Sequence, residues 1–328
     1  MINLKRLPKI ELHVHFDGSL DLETISLLSG LKMEVIEPIV VAPFKCEDLK
    51  DYLDRFKVPV SLLQNLRNIR LFAEKLRISL IDDGVFYAEV RYAPMKHFVD
   101  RDKMIEIIYE ELNKSNKLKV NLIICMMRGD SEENNKEVIN LAYKHLNKEV
   151  VAVDLAGDEK KYPLDNYYNL FSYADRLRIP YTIHAGEVGN AEELGKVLNT
   201  KARRVGHGIS IIKDESLIND YRDRHIMLEI CPTSNVQTNA VSSFSSHPIK
   251  EIKDKNLLYS VSTDNRLVSN TNLTLEYQKL IDRNLLDLDD IINFTYKAIN
   301  SSFMSIKDKE RASKIYSEVL KNQFKDLS

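Results

Sequence analysis

A regular alternation of short apolar segments with segments of helical periodicity constrains the fold of this chain more than any other feature of its sequence. Segments rich in β-branched and apolar residues predict eight strands, at residues 9–15, 85–92, 119–126, 150–157, 180–186, 203–208, 226–232 and 258–264. Helical spacing of apolar residues lies between them, at 104–115, 137–148, 164–178 and 192–199. Strand alternating with helix eight times predicts an α/β fold, a parallel (β/α)8 TIM barrel.

A doubly wound open sheet would show the same alternation, so periodicity alone leaves that alternative open. No glycine-rich phosphate-binding fingerprint follows the first strand to favour it. The first crossover, residues 20–84, is too long for one helix. Its helical pattern ends near Gly30 and resumes at 49–56 and at about 62–80. We expect these residues to form a helical cap insertion over the barrel mouth, within a single domain of residues 1–328.

The charge and cysteine content of the chain limit the kinds of molecule that it is expected to bind. Lysine plus arginine (47) nearly balance aspartate plus glutamate (49), and no basic stripe favours nucleic acid or a membrane surface. The three cysteines, Cys46, Cys125 and Cys231, lack the spacing of a disulfide framework or a cysteine-ligated zinc site. No signal peptide or membrane-spanning run is recognisable. We therefore expect a cytoplasmic protein that binds a small molecule, with the oligomeric state open and a monomer slightly favoured.

Polar residues suited to catalysis or metal binding stand at or just beyond the C-terminal ends of four predicted strands. They are His13 and His15 on the first strand, His184 and Glu187 at the fifth, His207 at the sixth, and Asp264 and Asn265 at the eighth. In a (β/α)8 barrel these ends converge on one face. The residues are therefore predicted to form one site.

Two of these histidines are spaced as a metal-binding pair. Residues i and i+2 of a strand point to the same side, so His13 and His15 can both reach a point beneath the barrel mouth. With His184 and Asp264 they form a set of three histidines and one carboxylate. This set suits zinc, although iron, cobalt or manganese could occupy it.

A hydrolytic metal site also needs a position for water, a proton shuttle and a group that orients the nucleophile. Glu187, three residues after His184, is placed to move protons without binding the metal. His207 could hold the nucleophile by a hydrogen bond. The pattern therefore indicates metal-dependent hydrolysis.

Two other metal-enzyme classes fit less well. Binuclear hydrolases with an HxH strand usually bridge their metals through a modified lysine at the end of the fourth strand. Here that strand ends in VDLAG, and the nearest lysines, Lys160 and Lys161, come several residues later, which favours one metal ion. Cytidine-type deaminases combine H-x-E with P-C-x-x-C, but here Cys231 and Pro232 have the reverse order and no second cysteine follows.

Taken in order, seven motifs resemble those of the adenosine deaminase family within the amidohydrolase superfamily. They are PKIELHVHFDGSL, AEVRYAP, VDLAGDE, HAGE, RVGHG, EICPTSN and STDN, and they extend from residue 8 to about 270. The combination is highly specific, whereas each motif alone is weak. The resemblance implies zinc-dependent hydrolytic deamination of adenosine and 2′-deoxyadenosine to inosine and 2′-deoxyinosine, with release of ammonia.

The resemblance also implies roles for individual residues. One zinc ion would be held by His13, His15, His184 and Asp264. Glu187 would give a proton to purine N1 while the zinc-bound hydroxide attacks C6. His207, with Asp264, would orient that water and help to deprotonate it.

Several residues are implied to contact the substrate, His15 among them. The backbone of Gly157, in LAGDE, would approach the purine N3 edge. Asp17, in HxHxDG, would meet a ribose hydroxyl, whereas relatives that act on free adenine tend to have glutamate there. A carboxylate would also repel a nucleotide phosphate. Asp17 therefore favours a purine nucleoside over adenine and AMP.

The chain departs from the family pattern after the eighth strand, where Asn265 replaces the second aspartate of TDDP. Its amide can donate a hydrogen bond to purine N7, which a carboxylate can do only when protonated. The segment with Leu53 and Phe56 matches a helix that covers the substrate in relatives. Ordinary amphipathic packing of these two side chains is the alternative.

Two other functions stay open. The first is deamination of another 6-amino purine, such as adenine, 5′-methylthioadenosine or an aminofutalosine-type nucleoside. The second is a catalytically silent nucleoside-binding barrel, which would be expected to have lost a ligand or the proton shuttle. The simultaneous presence of all of these residues argues against silence.

Overall fold

The computed structural model describes residues 3–188 and 191–325, with side chains as far as residue 322. All eight predicted strands are confirmed, and those of the second half are shorter than predicted. The strands of the described residues are β1 Lys9–His15, β2 Val85–Tyr92, β3 Lys119–Met127, β4 Val150–Ala156, β5 Thr182–Ala185, β6 Arg204–His207, β7 Met227–Ile230 and β8 Leu258–Val261.

The strands are parallel and follow chain order in two four-stranded sheets, β1 to β4 and β5 to β8. Single parallel bridges join the two sheets at both seams. One pairs Val14 with Asp264, just beyond β8, and the other pairs Val153 with Tyr181, just before β5. An open sheet has two unpaired edges, whereas here the eight strands are joined in a ring. The predicted (β/α)8 barrel is confirmed and the doubly wound alternative is excluded.

Helices lie between the strands and after the last one. Those of the described residues are α1 Leu22–Ser29, α2 Met33–Val40, α3 Leu49–Asp54, α4 Lys57–Leu62, α5 Leu66–Asp82, α6 Arg101–Leu112, α7 Glu132–Lys144, α8 Tyr168–Arg176, α9 Glu192–Val197, α10 Glu215–Asp223, α11 Pro232–Gln237, α12 Ile249–Asp254, α13 Leu273–Ile281, α14 Leu288–Ser301 and α15 Ile306–Lys325. In this part of the chain no helix combines the length and the apolarity that a membrane crossing requires.

Helices α1 to α5 make up the first crossover. Helix α1 ends at Gly30, which has the left-handed backbone of a C-terminal cap (φ 70°). Helix α2 contains a proline and was not predicted. The apolar run at 62–80 belongs to two helices, because Asn65 caps α5 by accepting a hydrogen bond from the amide of Asn68.

Capping residues also explain why α6 and α7 begin earlier than the apolar periodicity predicts. The side chain of Asp100 accepts from the Lys103 amide, and that of Ser131 accepts from the Asn134 amide. These bonds satisfy amides that have no partner within the first turn. Because the first turns are largely polar and exposed, the apolar pattern does not reveal them.

The interior of the barrel contains a fully buried network of ion pairs beneath the strand ends. Arg91 lies 2.9 Å from Asp154 and 2.8 Å from Glu229. Arg204 lies 2.5 Å from Glu89 and 2.7 Å from the second carboxylate oxygen of Glu229. Each of these buried charges therefore has an oppositely charged partner, which offsets the free-energy cost of removing the charge from water.

We predict that Arg204→Met lowers the free energy of unfolding by about 3–5 kcal/mol, because it leaves the buried charge of Glu89 uncompensated. Urea denaturation measures this loss. The matched control is Arg203→Met, at the exposed position immediately before β6, which should change the stability by less than about 0.5 kcal/mol. Equal effects of the two substitutions would show that the pairing of Arg204 contributes nothing.

Candidate active site

The ends of β1, β5, β6 and β8 bring the predicted site residues to one side of the barrel. On β1, the alternation of side chains directs His13 and His15 to the same point. The backbones of His207 and Asp264 are left-handed, with φ of 63° and 60°. Such conformations are uncommon outside glycine and occur often at functional sites.

Four side chains offer ligand atoms within 4.8 Å of one another: His13, His15, His184 and Asp264. The Nε2 atoms of His15 and His184 are 3.3 Å apart. Oδ1 of Asp264 lies 3.4 Å from Nε2 of His13 and 3.5 Å from Nε2 of His15. Four donors placed tetrahedrally at about 2.1 Å from one centre would be separated by about 3.4 Å. The donor set therefore fits one metal ion.

Two carboxylates leave the Nε2 atoms of His13 and His184 free to bind a metal. Nδ1 of His13 lies 2.8 Å from Glu229, and Nδ1 of His184 lies 3.0 Å from Asp154. Nε2 of His13 is buried and has no hydrogen-bond partner among the described residues. A hydrogen bond at one ring nitrogen that orients the other is the usual arrangement at metal-binding histidines.

Arg91 connects the two carboxylates that orient His13 and His184. Its guanidinium contacts both Asp154 and Glu229, and it also donates to the carbonyl oxygen of Leu12 at 2.6 Å. One side chain therefore holds the carboxylates that orient His13 and His184, together with the backbone of β1.

The carboxylate of Asp264 is also held by the segment that follows β7. The hydroxyl of Ser234, in α11, donates to Oδ2 of Asp264 at 2.7 Å. Its neighbour Asn235 donates from its amide to Nδ1 of His207 at 3.0 Å, which leaves the proton of that ring on Nε2. The segment after β7 therefore orients two residues of the site.

Glu187 lies beside His207, with 3.7 Å between its Oε2 and Nε2 of the histidine. Burial raises the pKa of Glu187 well above its usual range, and the negative charges of Asp264 and Glu159 raise it further. A raised pKa favours the protonated form of this carboxyl group. In that form the group can act as a proton donor to a bound molecule.

A cavity of about 450 Å³ opens above these residues, a volume suited to a small molecule. Its lining includes all but one of the predicted site residues, namely His15, Asp17, Leu53, Phe56, Gly157, His184, Glu187, His207, Asp264 and Asn265. His13 lies beneath the cavity and is fully buried. Gly157 has a left-handed backbone (φ 107°), and a side chain there would crowd Arg128.

Asp17 reaches the cavity from the turn after β1. Burial raises its pKa to about 6. Its Oδ1 atom is buried and has no hydrogen-bond partner among the described residues. A buried carboxylate oxygen without a partner is costly, so this atom is suited to accept a hydrogen bond from a ligand.

Asn265 is tied to the first crossover through Tyr52. The amide of Asn265 donates to the Tyr52 hydroxyl at 3.0 Å, and that hydroxyl lies 2.7 Å from Oγ of Ser269. The amide nitrogen has a second hydrogen available to a ligand. A Cβ at position 18 would lie 1.9 Å from Oδ1 of Asn265, so a larger residue than Gly18 would displace the Asn265 side chain.

The structure brings the sequence-predicted residues together, while their individual roles stay predictions. It adds residues to which no role was assigned from the sequence, namely Tyr52, Arg91, Glu159, Ser234 and Asn235. Tyr52, Ser234 and Asn235 hydrogen-bond to the site residues Asn265, Asp264 and His207. Arg91 contacts the carboxylates that orient His13 and His184, and Glu159 contacts the backbone beside Glu187. Four of the added residues stand in the motifs AEVRYAP, VDLAGDE and EICPTSN. Position within those motifs was the available signal.

Comparisons with known proteins agree with this geometry. The family model described as adenosine deaminase matches residues 8–322. The adenosine deaminase of Clostridium kluyveri is 37% identical over 97% of this chain and 94% of its own length. That of Clostridium perfringens is 35% identical over 94% of this chain and 98% of its own.

A solved structure shows the same fold. The adenine deaminase of Arthrobacter aurescens superposes with a TM-score of 0.87 at 22% identity, covering 96% of this chain and 99% of the other. At that identity the likeness concerns the fold alone. The sequence match over nearly the whole length decides the family, and this chain belongs to the adenosine deaminase family.

Proposed function

We propose that this chain catalyses the hydrolytic deamination of adenosine and 2′-deoxyadenosine to the inosine nucleosides, with one zinc ion as its metal. The observation that supports it most directly is the convergence of four side chains that offer metal-ligand atoms with a buried carboxyl group, Glu187, whose pKa is raised by burial, at the end of one cavity. Family membership gives the same reaction.

The residues that would hold the metal are His13, His15, His184 and Asp264. When bound, the metal lowers the pKa of a coordinated water and so supplies a nucleophile at neutral pH. The three imidazoles and one carboxylate suit zinc. Glu229 and Asp154 keep two of the histidines in the orientation that exposes Nε2.

Glu187 would transfer a proton to the base, and His207 would orient the nucleophile. The Glu187 carboxyl would donate its proton to N1 of the purine, which makes the adjacent C6 more electrophilic. The Nε2 hydrogen of His207, fixed by the bond from Asn235 to Nδ1, would orient the attacking water. Replacement of the amino group by oxygen then releases ammonia.

Recognition of the nucleoside is assigned to the other cavity residues. Asp17 would accept a hydrogen bond from a ribose hydroxyl, and its negative charge disfavours a 5′-phosphate. Gly157 allows the purine edge to approach the backbone. The second amide hydrogen of Asn265 would bind N7. Leu53 and Phe56 would exclude water from the bound base.

The state of the three cysteines supports the proposal that the protein acts in the cytoplasm. Cys46, Cys125 and Cys231 are free and buried. Unpaired cysteines are the rule in the reducing cytoplasm, where a purine nucleoside would be available as substrate. A direct assay decides between adenosine and the other 6-amino purines that the sequence leaves open.

The first test is a substrate panel. We predict ammonia release from adenosine and 2′-deoxyadenosine at kcat/KM values at least about 100-fold above those for adenine, 5′-methylthioadenosine and AMP, a difference of about 3 kcal/mol. A preference for adenine or a 5′-modified nucleoside would keep the chemistry and contradict the role of Asp17. No turnover of any substrate by zinc-loaded protein would favour the silent barrel.

Glu187→Gln tests the proton donor. The substitution removes the acidic proton while it preserves shape, so kcat should fall by about 100- to 10,000-fold while the bound metal stays at one per chain. Steady-state kinetics and metal analysis give the two values. The control Glu192→Gln, at an exposed position in α9, should leave both unchanged. Full activity of Glu187→Gln would reject the assignment.

Alanine substitutions of His184 and His207 distinguish a proposed metal ligand from a histidine that is proposed not to bind the metal. His184→Ala should lose both metal and activity, because it removes a donor. His207→Ala should retain the metal and lose activity. His225→Asn, an exposed residue with φ of 54° that asparagine tolerates, is the control that should keep both. Loss of metal from His207→Ala would mean that the donor set is misassigned.

A further inference from the structure

The position of Glu187 is set by its backbone. Its carboxylate makes a long contact with His207, at 3.7 Å, so the side chain is not fixed by a short hydrogen bond to that ring. On one side the chain is held at Gly186, whose carbonyl oxygen accepts from the Ser210 amide at 3.1 Å. Gly186 itself has a left-handed backbone (φ 67°).

Glu159 holds the same segment on both sides of Glu187. Its Oε2 accepts a hydrogen bond from the Gly186 amide at 2.8 Å, and its Oε1 accepts one from the Val188 amide at 2.6 Å. Glu159 lies in the loop after β4 and is 5% exposed. The Glu159 side chain therefore binds, from a different loop, the backbone amides of the two residues that flank the proposed proton donor.

The chemistry of these contacts requires a carboxylate. Each backbone N–H faces a different oxygen of Glu159, and a glutamine in the same position would place its NH2 group against one of the two N–H groups. Burial raises the pKa of Glu159, whereas the bond from the Val188 amide, the nearby charge of Arg128 and the bond from the Gly186 amide lower it. Arg128 is itself paired with Glu193 at 3.2 Å.

No lysine or arginine within residues 3–188 and 191–322 forms an ion pair with Glu159. A buried carboxylate without a paired cation costs stability. Its two hydrogen bonds compensate this cost, and both go to the segment that carries Glu187.

We infer that Glu159 is a positioning residue for proton transfer, which clamps the backbone on both sides of Glu187 and so sets where the Glu187 carboxyl meets the base. The inference rests on the proposed function, because it assigns the proton transfer to Glu187. A misplacement of about 1 Å at a reacting group can cost about 100-fold in rate.

A double-mutant cycle tests this coupling. Adenosine kinetics and metal content are measured for the wild type, Glu159→Gln, Glu187→Gln and the double variant. We expect Glu159→Gln to lower kcat by about 100-fold, to change KM by less than about threefold and to keep one metal per chain. In the Glu187→Gln background the same substitution should change the residual rate by less than about twofold.

The outcomes separate the inference from the proposed function. No deamination of adenosine by the wild type would overturn both. With an active wild type, an unchanged kcat in Glu159→Gln would overturn only the inference. Equal fractional losses in the two backgrounds would also overturn it, because they would show that Glu159 acts independently of Glu187.

A second measurement does not depend on activity. Amide hydrogen exchange at Gly186 and Val188 should become at least about tenfold faster in Glu159→Gln, since both amides share the acceptor that is altered. Glu159→Asp keeps two acceptors on a shorter side chain and should have an intermediate kcat, which also provides a test if Glu159→Gln fails to fold. Unchanged exchange in both variants would refute the clamp.

The matched control is Glu111→Gln. Glu111 is also a buried glutamate, but it lies in α6 and pairs with Arg70, Arg77 and Lys114. Its substitution should lower stability while kcat and the exchange at Gly186 and Val188 stay as in the wild type. An equal effect on kcat would show that any buried carboxylate has this influence.

Discussion

The buried guanidinium of Arg91 is the interaction on which the rest of the site depends. It binds the carboxylates of Asp154 and Glu229, which in turn orient His184 and His13. A cation in the barrel interior is tolerated because both carboxylates neutralise it. The cation favours the ionised form of both carboxylates, together with Arg204 at Glu229 and His184 at Asp154. The ion pairs of the core therefore also fix the orientation of His13 and His184, two of the candidate metal ligands.

The backbone at the strand ends and the loops that follow them place the other side chains of the site. The left-handed backbones of His207 and Asp264 turn two side chains into the cavity at the points where their strands end. Loops from neighbouring strands then hold the site residues: Ser234 binds Asp264, and Glu159 binds the backbone beside Glu187. Rigid strands thus place the donors, and polar loops set their orientation.

The sequence predicted the strands and the donor residues because both depend on local information. Strand alternation follows from residue-by-residue apolarity, and the HxH spacing places two donors on one face. The contacts that orient these residues could not be predicted from the sequence. Arg91 and Glu229, for example, are 138 positions apart and meet only in the folded barrel. The early starts of α6 and α7 were missed because capping is a side-chain effect at polar positions.

The central claim is that four donors hold one zinc ion beside a nucleoside whose N1 faces Glu187. Diffraction at the zinc absorption edge, from crystals of the zinc-loaded protein with inosine bound, tests this most directly. The account predicts one anomalous peak bound by His13, His15, His184 and Asp264, with the purine N1 within hydrogen-bond distance of Glu187. A peak at another set of residues, or a purine that turns N1 away from Glu187, would contradict it.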